Sequence, residues 1–168
     1  MTRARRGTVA LVALAIGLGL GLGLAGCGFT PVYGDHSATS RLGQVQVHTP
    51  DHRLGYRLRE QLEDAFGFQP GSPSVWRLET SVEQSRRPLG RRLDDSAARY
   101  ELTVVVDWTL SPVAGGQTLT GRETITTTYS AADQPYAAIA SQQDGEERAA
   151  AELARAIRLD ILRQLAQP

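Results

Sequence analysis

Three stretches of strict two-residue alternation constrain this chain most. Trp76, Leu78, Thr80 and Val82 alternate with Arg77, Glu79, Ser81 and Glu83, and Tyr100, Leu102, Val104, Val106, Trp108 and Leu110 alternate with a more polar set. Leu119, Ile125 and Tyr129 share one face of a Thr-rich third stretch, interrupted by Glu123. Successive side chains of a strand point to opposite faces, so each stretch predicts a strand with one apolar face. The joins Pro88-Leu89-Gly90 and Pro112 to Gly116 are turn-like, which predicts sequential antiparallel hairpins. A meander with one apolar face needs a cover.

The remaining apolar pattern supplies it. Leu42 to His48 alternates, with Val45 and Val47 on one face, and predicts a short first strand. Thr49-Pro50-Asp51 reads as the start of a helix, with an N-cap, a proline at the first helical position and a carboxylate near the positive end. Leu54, Leu58, Leu62 and Phe66 follow at helical spacing, and Gly67 reads as the stop. After Asp133 and Pro135, the positions Ile139, Ala150, Leu153, Ile157, Ile161 and Leu165 recur at helical spacing, and Gly145 either bends or breaks that helix. The expected fold is α+β in the order β-α-β-β-β-α, a four-stranded, mostly antiparallel sheet with two helices on one face. It occupies residues 42–168 as one domain.

Ahead of it lies an address. Met1 to Thr8 is short and basic, Val9 to Leu24 is apolar, and Ala25-Gly26 precede Cys27, the single cysteine of the chain. The order is that of an export signal. The apolar run approaches the length of a membrane span, but Gly17, Gly19, Gly21 and Gly23 each cost ~1 kcal/mol of helix propensity. Leu24-Ala25-Gly26-Cys27 resembles the lipobox of bacterial lipoproteins, which implies removal of residues 1–26 and lipidation of Cys27. Residues 27–41, with Pro31, Gly34, Ser37 and Ser40, read as a lipidated tether. Gly28 follows the cysteine in place of an inner-membrane retention Asp, so the expected destination is the periplasmic face of the outer membrane.

Charge and motifs exclude several functions. Without Arg3, Arg5 and Arg6, the mature part carries fifteen basic against eighteen acidic residues, about −3, which gives no basis for general nucleic-acid binding. His48 and His52 have ligand-like spacing, but Pro50 intervenes, and with His36 they offer no zinc set once Cys27 is acylated. Asp94-Asp95 read as solvated turn residues rather than an acid/base pair. GxSxG, P-loop and HExxH motifs are absent, and the expectation is no enzyme, no metal and no cofactor.

The local anomaly is Arg86-Arg87-Pro88-Leu89-Gly90-Arg91-Arg92, four guanidiniums in seven residues at an expected hairpin tip. One reading is a solvated turn with a charged, repelling edge. The other is an anion clamp, in which Arg86, Arg87, Arg91 and Arg92 bind phosphate through bidentate donors while Leu89 adds an apolar contact. Trp76 and Trp108 read as core rather than as ligand platforms.

Cys27-Gly28-Phe29-Thr30-Pro31-Val32-Tyr33-Gly34 directly after the lipobox, the element order, and Asp133-Gln134-Pro135-Tyr136 leading into an Ala/Arg/Leu helix together resemble the LPS-assembly lipoprotein LptE family in its alphaproteobacterial form. That resemblance covers the mature chain. It implies a non-enzymatic partner of the LptD outer-membrane barrel that plugs its lumen, assists its assembly and binds lipopolysaccharide. Composition fits equally a lipid-anchored pilot or adaptor for another envelope complex such as a secretin.

Overall fold

The structure, a computed structural model, describes residues 42–91 and 97–166, which lie within the compact unit Asp35–Pro168. The leader, Cys27, the tether, Arg92, Asp94 and Asp95 fall outside the described residues. Among the described residues six elements are present: β1 (Val45–His48), α1 (Arg53–Phe66), β2 (Trp76–Arg91), β3 (Ala97–Pro112), β4 (Leu119–Ser130) and α2 (Pro135–Leu165). They form an α+β domain with one four-stranded sheet in the order β1-β2-β3-β4. β1 runs parallel to β2, and the other pairs are antiparallel. A parallel neighbour requires a crossover, and α1 provides it.

Alternation sets the two faces. Leu78, Leu102, Val104, Val106, Trp108 and Leu110 are buried beneath the helices, with Val45 and Val47 of β1 beside them. α1 contributes Leu54, Leu58, Leu62 and Phe66, and α2 contributes Leu153, Ile157 and Ile161. Trp108 is the largest fully buried side chain, and Trp76 packs half-buried against the same core.

Three expectations are corrected. α1 starts later than Thr49-Pro50-Asp51 suggests: His52 is the N-cap, its Nδ1 accepting from the Gly55 N–H at 3.1 Å, while the His52 N–H donates to the Pro50 carbonyl at 2.8 Å. The Pro50 turn folds back onto the helix because position 55 lacks a Cβ, which would lie 2.1 Å from the Pro50 oxygen. Pro88-Leu89-Gly90 is no turn either, since pairing with β3 continues through Leu89↔Arg99 to Arg91↔Ala97. β1 ends opposite Glu79, so this half of β2 is a sheet edge, where proline is tolerated. Finally, Ile139 lies 53% exposed, because α2 buries no residue before Gly145 and its first turns project past the core. The helix itself runs unbroken through Gly145, which packs against Tyr129.

α2 is pinned to the outer edge of β4 at both ends. Arg148 donates to the Thr128 carbonyl and Gln164 to the Thr120 carbonyl, each at 3.1 Å. Buried Glu146 accepts from Gln142 at 2.8 Å and pairs with Arg53 of α1 at 3.3 Å. Near the C-terminus of α2, Asp160 pairs with Arg163 and faces Glu123 on the inner side of β4. Burial, and then the Asp160 carboxylate, push the Glu123 carboxyl above its ordinary range, with Arg163 opposing. A carboxyl raised in the folded state contributes stability that is present at low pH and lost as pH rises through that raised value. Glu123→Gln is therefore expected to melt higher than the parent at pH 7, with the advantage disappearing below about pH 4 in thermal denaturation followed by circular dichroism.

Candidate functional site

Arg86 and Arg87 are neighbours on a strand, and their side chains leave opposite faces of the sheet. Arg86 sits on the helix side. Its guanidinium lies over the Tyr100 ring, 4.7 Å from the centroid, and donates to the Tyr129 hydroxyl at 3.4 Å. The two tyrosines, brought together by the Tyr100↔Tyr129 register of β3 and β4, have ring centroids 5.5 Å apart. The hydrogen bond to Tyr129 is the main cause pushing the Arg86 pKa further up, so the charge is permanent.

The site is a shallow cavity of about 260 Å³ where the sheet outruns the helices. Arg86, Tyr100 and Tyr129 form its sheet wall, while Ala138, Ile139 and Gln142 from the projecting start of α2 form the other. Asp133 also lines it. A second cavity of about 260 Å³ lies on the far side of Tyr129, lined by Arg99, Asp144 and Arg148 among others. One guanidinium stacked on a neutral phenol ring beside exposed aliphatic carbon suits an anionic group attached to an apolar body.

Arg87 belongs to different surroundings. On the uncovered outer face it makes two hydrogen bonds to the Glu101 carboxylate, at 3.0 and 2.7 Å. Arg91 ends β2 opposite Ala97, and Arg92 lies outside the described residues. Alternation therefore separates the first two guanidiniums of the cluster. Two further cross-strand pairs form on the outer face: Arg122 holds Asp107 in a two-point pair at 2.6 and 2.7 Å, and the Thr103 and Thr126 hydroxyls are 3.3 Å apart. The Arg122 guanidinium holds the Asp107 carboxyl below its usual range.

Arg99 and Arg148 escaped the sequence reading because only strand register and helix docking bring them beside Tyr129. Tyr100 and Tyr129 were legible as face residues, but not as a pair. His48 and His52 do separate things, one ending β1 on the exposed face and the other capping α1. Among the described residues there is no cluster of three or more His, Cys, Asp or Glu that could hold a metal. No described helix is long and apolar enough to cross a membrane.

The sequence profile of the family described as "LptE: Lipopolysaccharide-assembly" matches residues 42–165, a span that contains all six elements. The chain belongs to the LptE family. Among solved structures, this LptE-family chain is similar to a lipoprotein from Caulobacter crescentus at 47% identity, covering 79% of this chain and 98% of that one with a TM-score of 0.67. Rare lipoprotein B from Shewanella oneidensis matches at 20% identity over 73% of this chain and 93% of that one, with a TM-score of 0.46. Lipoprotein B from Nitrosomonas europaea matches at 15% over 73% and 81%, with a TM-score of 0.39. No curated protein sequence matches.

Proposed function

We propose that this LptE-family chain is an outer-membrane lipoprotein, anchored through acyl chains on Cys27, that pairs with an LptD-type β-barrel. It fills the barrel lumen, assists barrel assembly and binds lipopolysaccharide as that glycolipid enters the outer leaflet. Its role is binding rather than catalysis. The observation that carries this reading is the family match across every element of the fold. The outer sheet face supports it: a surface of Thr hydroxyls and mutually paired charges suits the polar interior of a barrel.

Within this reading Arg86 is the principal phosphate contact among Arg86, Arg87, Arg91 and Arg92. Its guanidinium is held by the Tyr100 ring and the Tyr129 hydroxyl, with Asp133 also lining the cavity, whereas Arg87 is paired with the Glu101 carboxylate. A hydrogen bond to a charged group contributes ~1.5–3 kcal/mol, so Arg86→Ala is expected to weaken lipid A binding about tenfold or more, and Arg87→Ala far less. Fluorescence titration with lipid A measures both. Unchanged affinity in all four Arg→Ala variants would remove the clamp and leave the plug.

The pairing is tested by tagging the C-terminus, extracting native membranes in mild detergent and identifying co-purifying proteins by mass spectrometry. A large LptD-type barrel in near-equal amount is the expected result. Recovery of a secretin or another envelope complex without that barrel would replace the plug with an adaptor role.

A further inference from the structure

A cleft of about 570 Å³, more than twice the volume of the Arg86 cavity, opens at the other end of the sheet. β2 and β4 begin there and β3 ends there. Trp76 opens β2 opposite Pro112, and Leu119 opens β4, so strand register sets three of its walls together. The last turn of α2 adds Gln164 and Leu165, seated there by the Gln164 bond to the Thr120 carbonyl. The β3–β4 loop brings Gln117. It turns at Gly115 and Gly116 with φ of +84° and +142°, conformations that residues with side chains rarely adopt, so nothing projects from these positions to fill the cleft.

The chemistry of this cleft differs from that of the anion site. None of the residues lining it is charged. Trp108 is fully buried, whereas Trp76 is half-buried, packed against the core and lining the cleft at once. The Gln164 Nε2 donates to the Thr120 carbonyl and to the Asp160 carboxylate, each at 3.1 Å, which uses its amide hydrogens and leaves its carbonyl oxygen to accept. Gln117 is exposed and supplies a second amide, a donor and acceptor together. An aromatic body with amides around it suits a sugar ring, whose C–H face packs on apolar surface while its hydroxyls take hydrogen bonds. Without a cation the cleft has no hold on phosphate or carboxylate, and an acyl chain would strip water from the two amides without replacing it.

We propose that this cleft, walled by Trp76, Gln117 and Gln164, binds an uncharged stretch of the sugar chain of the glycolipid. The inference rests on the glycolipid binding of the proposed function and deepens it. Tyr100 at the Arg86 cavity and Pro112 at the cleft stand roughly 40 Å apart along β3, at ~3.4 Å per residue. A glycolipid carries its phosphates close to its acyl chains and its outer sugars far from them. The two cavities divide it accordingly, phosphate at Arg86 and outer sugars at Trp76.

The test uses the full-length lipidated protein, labelled with nitrogen-15 at tryptophan, in a detergent without a sugar headgroup. Trp76 and Trp108 are its two tryptophans, so two indole N–H signals appear, and the Trp108 signal is the internal control. Trp76→Phe assigns them. The probe is the polysaccharide released from lipopolysaccharide by mild acid and freed of phosphate, compared with maltotriose and with octyl phosphate. The expected result is a saturable, millimolar-range shift of the Trp76 signal with the polysaccharide and none at Trp108. Gln117→Ala, at an exposed position and with its fold verified by circular dichroism, is expected to weaken that response several-fold. The proposal is overturned by the absence of a saturable shift, by equal shifts at both indoles, by an affinity untouched in Gln117→Ala, or by a response to octyl phosphate alone. A response to maltotriose alone also overturns it, by assigning the cleft to a free oligosaccharide. Lipid A lacks the outer sugar chain, so its titration reads the Arg86 site separately. Lipid A binding with a silent Trp76 overturns only this inference, whereas a Trp76 response without lipid A binding overturns the Arg86 site and leaves a saccharide site standing.

Discussion

Gly121→Val is expected to lower the melting temperature by roughly 10 °C or more. Gly121 lies on the inner face of β4, opposite Trp108 of β3, where the indole and the Asp160 carboxylate of α2 close over the backbone. A Cβ there would sit 2.5 and 2.6 Å from two Trp108 ring carbons and 2.7 Å from an Asp160 oxygen. Neither neighbour yields easily. Trp108 is buried in the centre of the core, and Asp160 is tied to Arg163 and Gln164, which in turn reaches the β4 edge. Overpacking a core costs about 1–3 kcal/mol and occasionally more, and a valine adds two methyls to the colliding Cβ. For a domain of this size each kcal/mol moves the midpoint by about 4 °C. Thermal denaturation by circular dichroism measures it, with Thr126→Val on the exposed face as the control. A variant melting within a degree or two of the parent would show that Trp108 does not occupy this seat.

In a host that lacks its barrel partner, exporting residues 28–168 behind an ordinary cleavable leader is expected to move the protein almost entirely from the membrane to the soluble fraction. Buried acyl carbon contributes ~0.8 kcal/mol per methylene, and one chain holds a protein only reversibly, whereas two or more hold it stably. The described domain has no membrane-spanning helix to compensate. Fractionation followed by immunoblotting reads the outcome. Retention of most of the protein on salt-washed membranes of that host would mean that the domain carries its own strong membrane attachment, and that Cys27 is not the deciding anchor.

How much was legible follows from the range over which each interaction acts. The three long strands, β1 and both helices are visible in the spacing of apolar residues, because a one-sided sheet and a one-sided helix each repeat with the period of the backbone. Those periods, with the turn at Pro112 to Gly116, suffice for the α+β architecture and its element order. The helix start misled because Thr49-Pro50-Asp51 satisfies a local rule, while the actual boundary depends on Gly55 admitting the Pro50 carbonyl at close range. Pro88-Leu89-Gly90 misled for a related reason: it is turn-like in isolation, but sixteen-residue strands pair straight through it at an edge.

The candidate site divides along the same line. The concentration of arginine between positions 86 and 92 is a property of the sequence. Which of them stands on aromatic rings and which is paired with a carboxylate is not, because Arg86 gains its aromatic platform from β3 and β4 while Arg87 meets Glu101 on the opposite face. The sequence by itself determined the repeating elements, the expected lipid address and the family, all of which rest on local pattern. Only the tertiary structure decided which charges pair and which glycines are indispensable, because those depend on contacts between residues that strand register and helix docking bring together from distant parts of the chain.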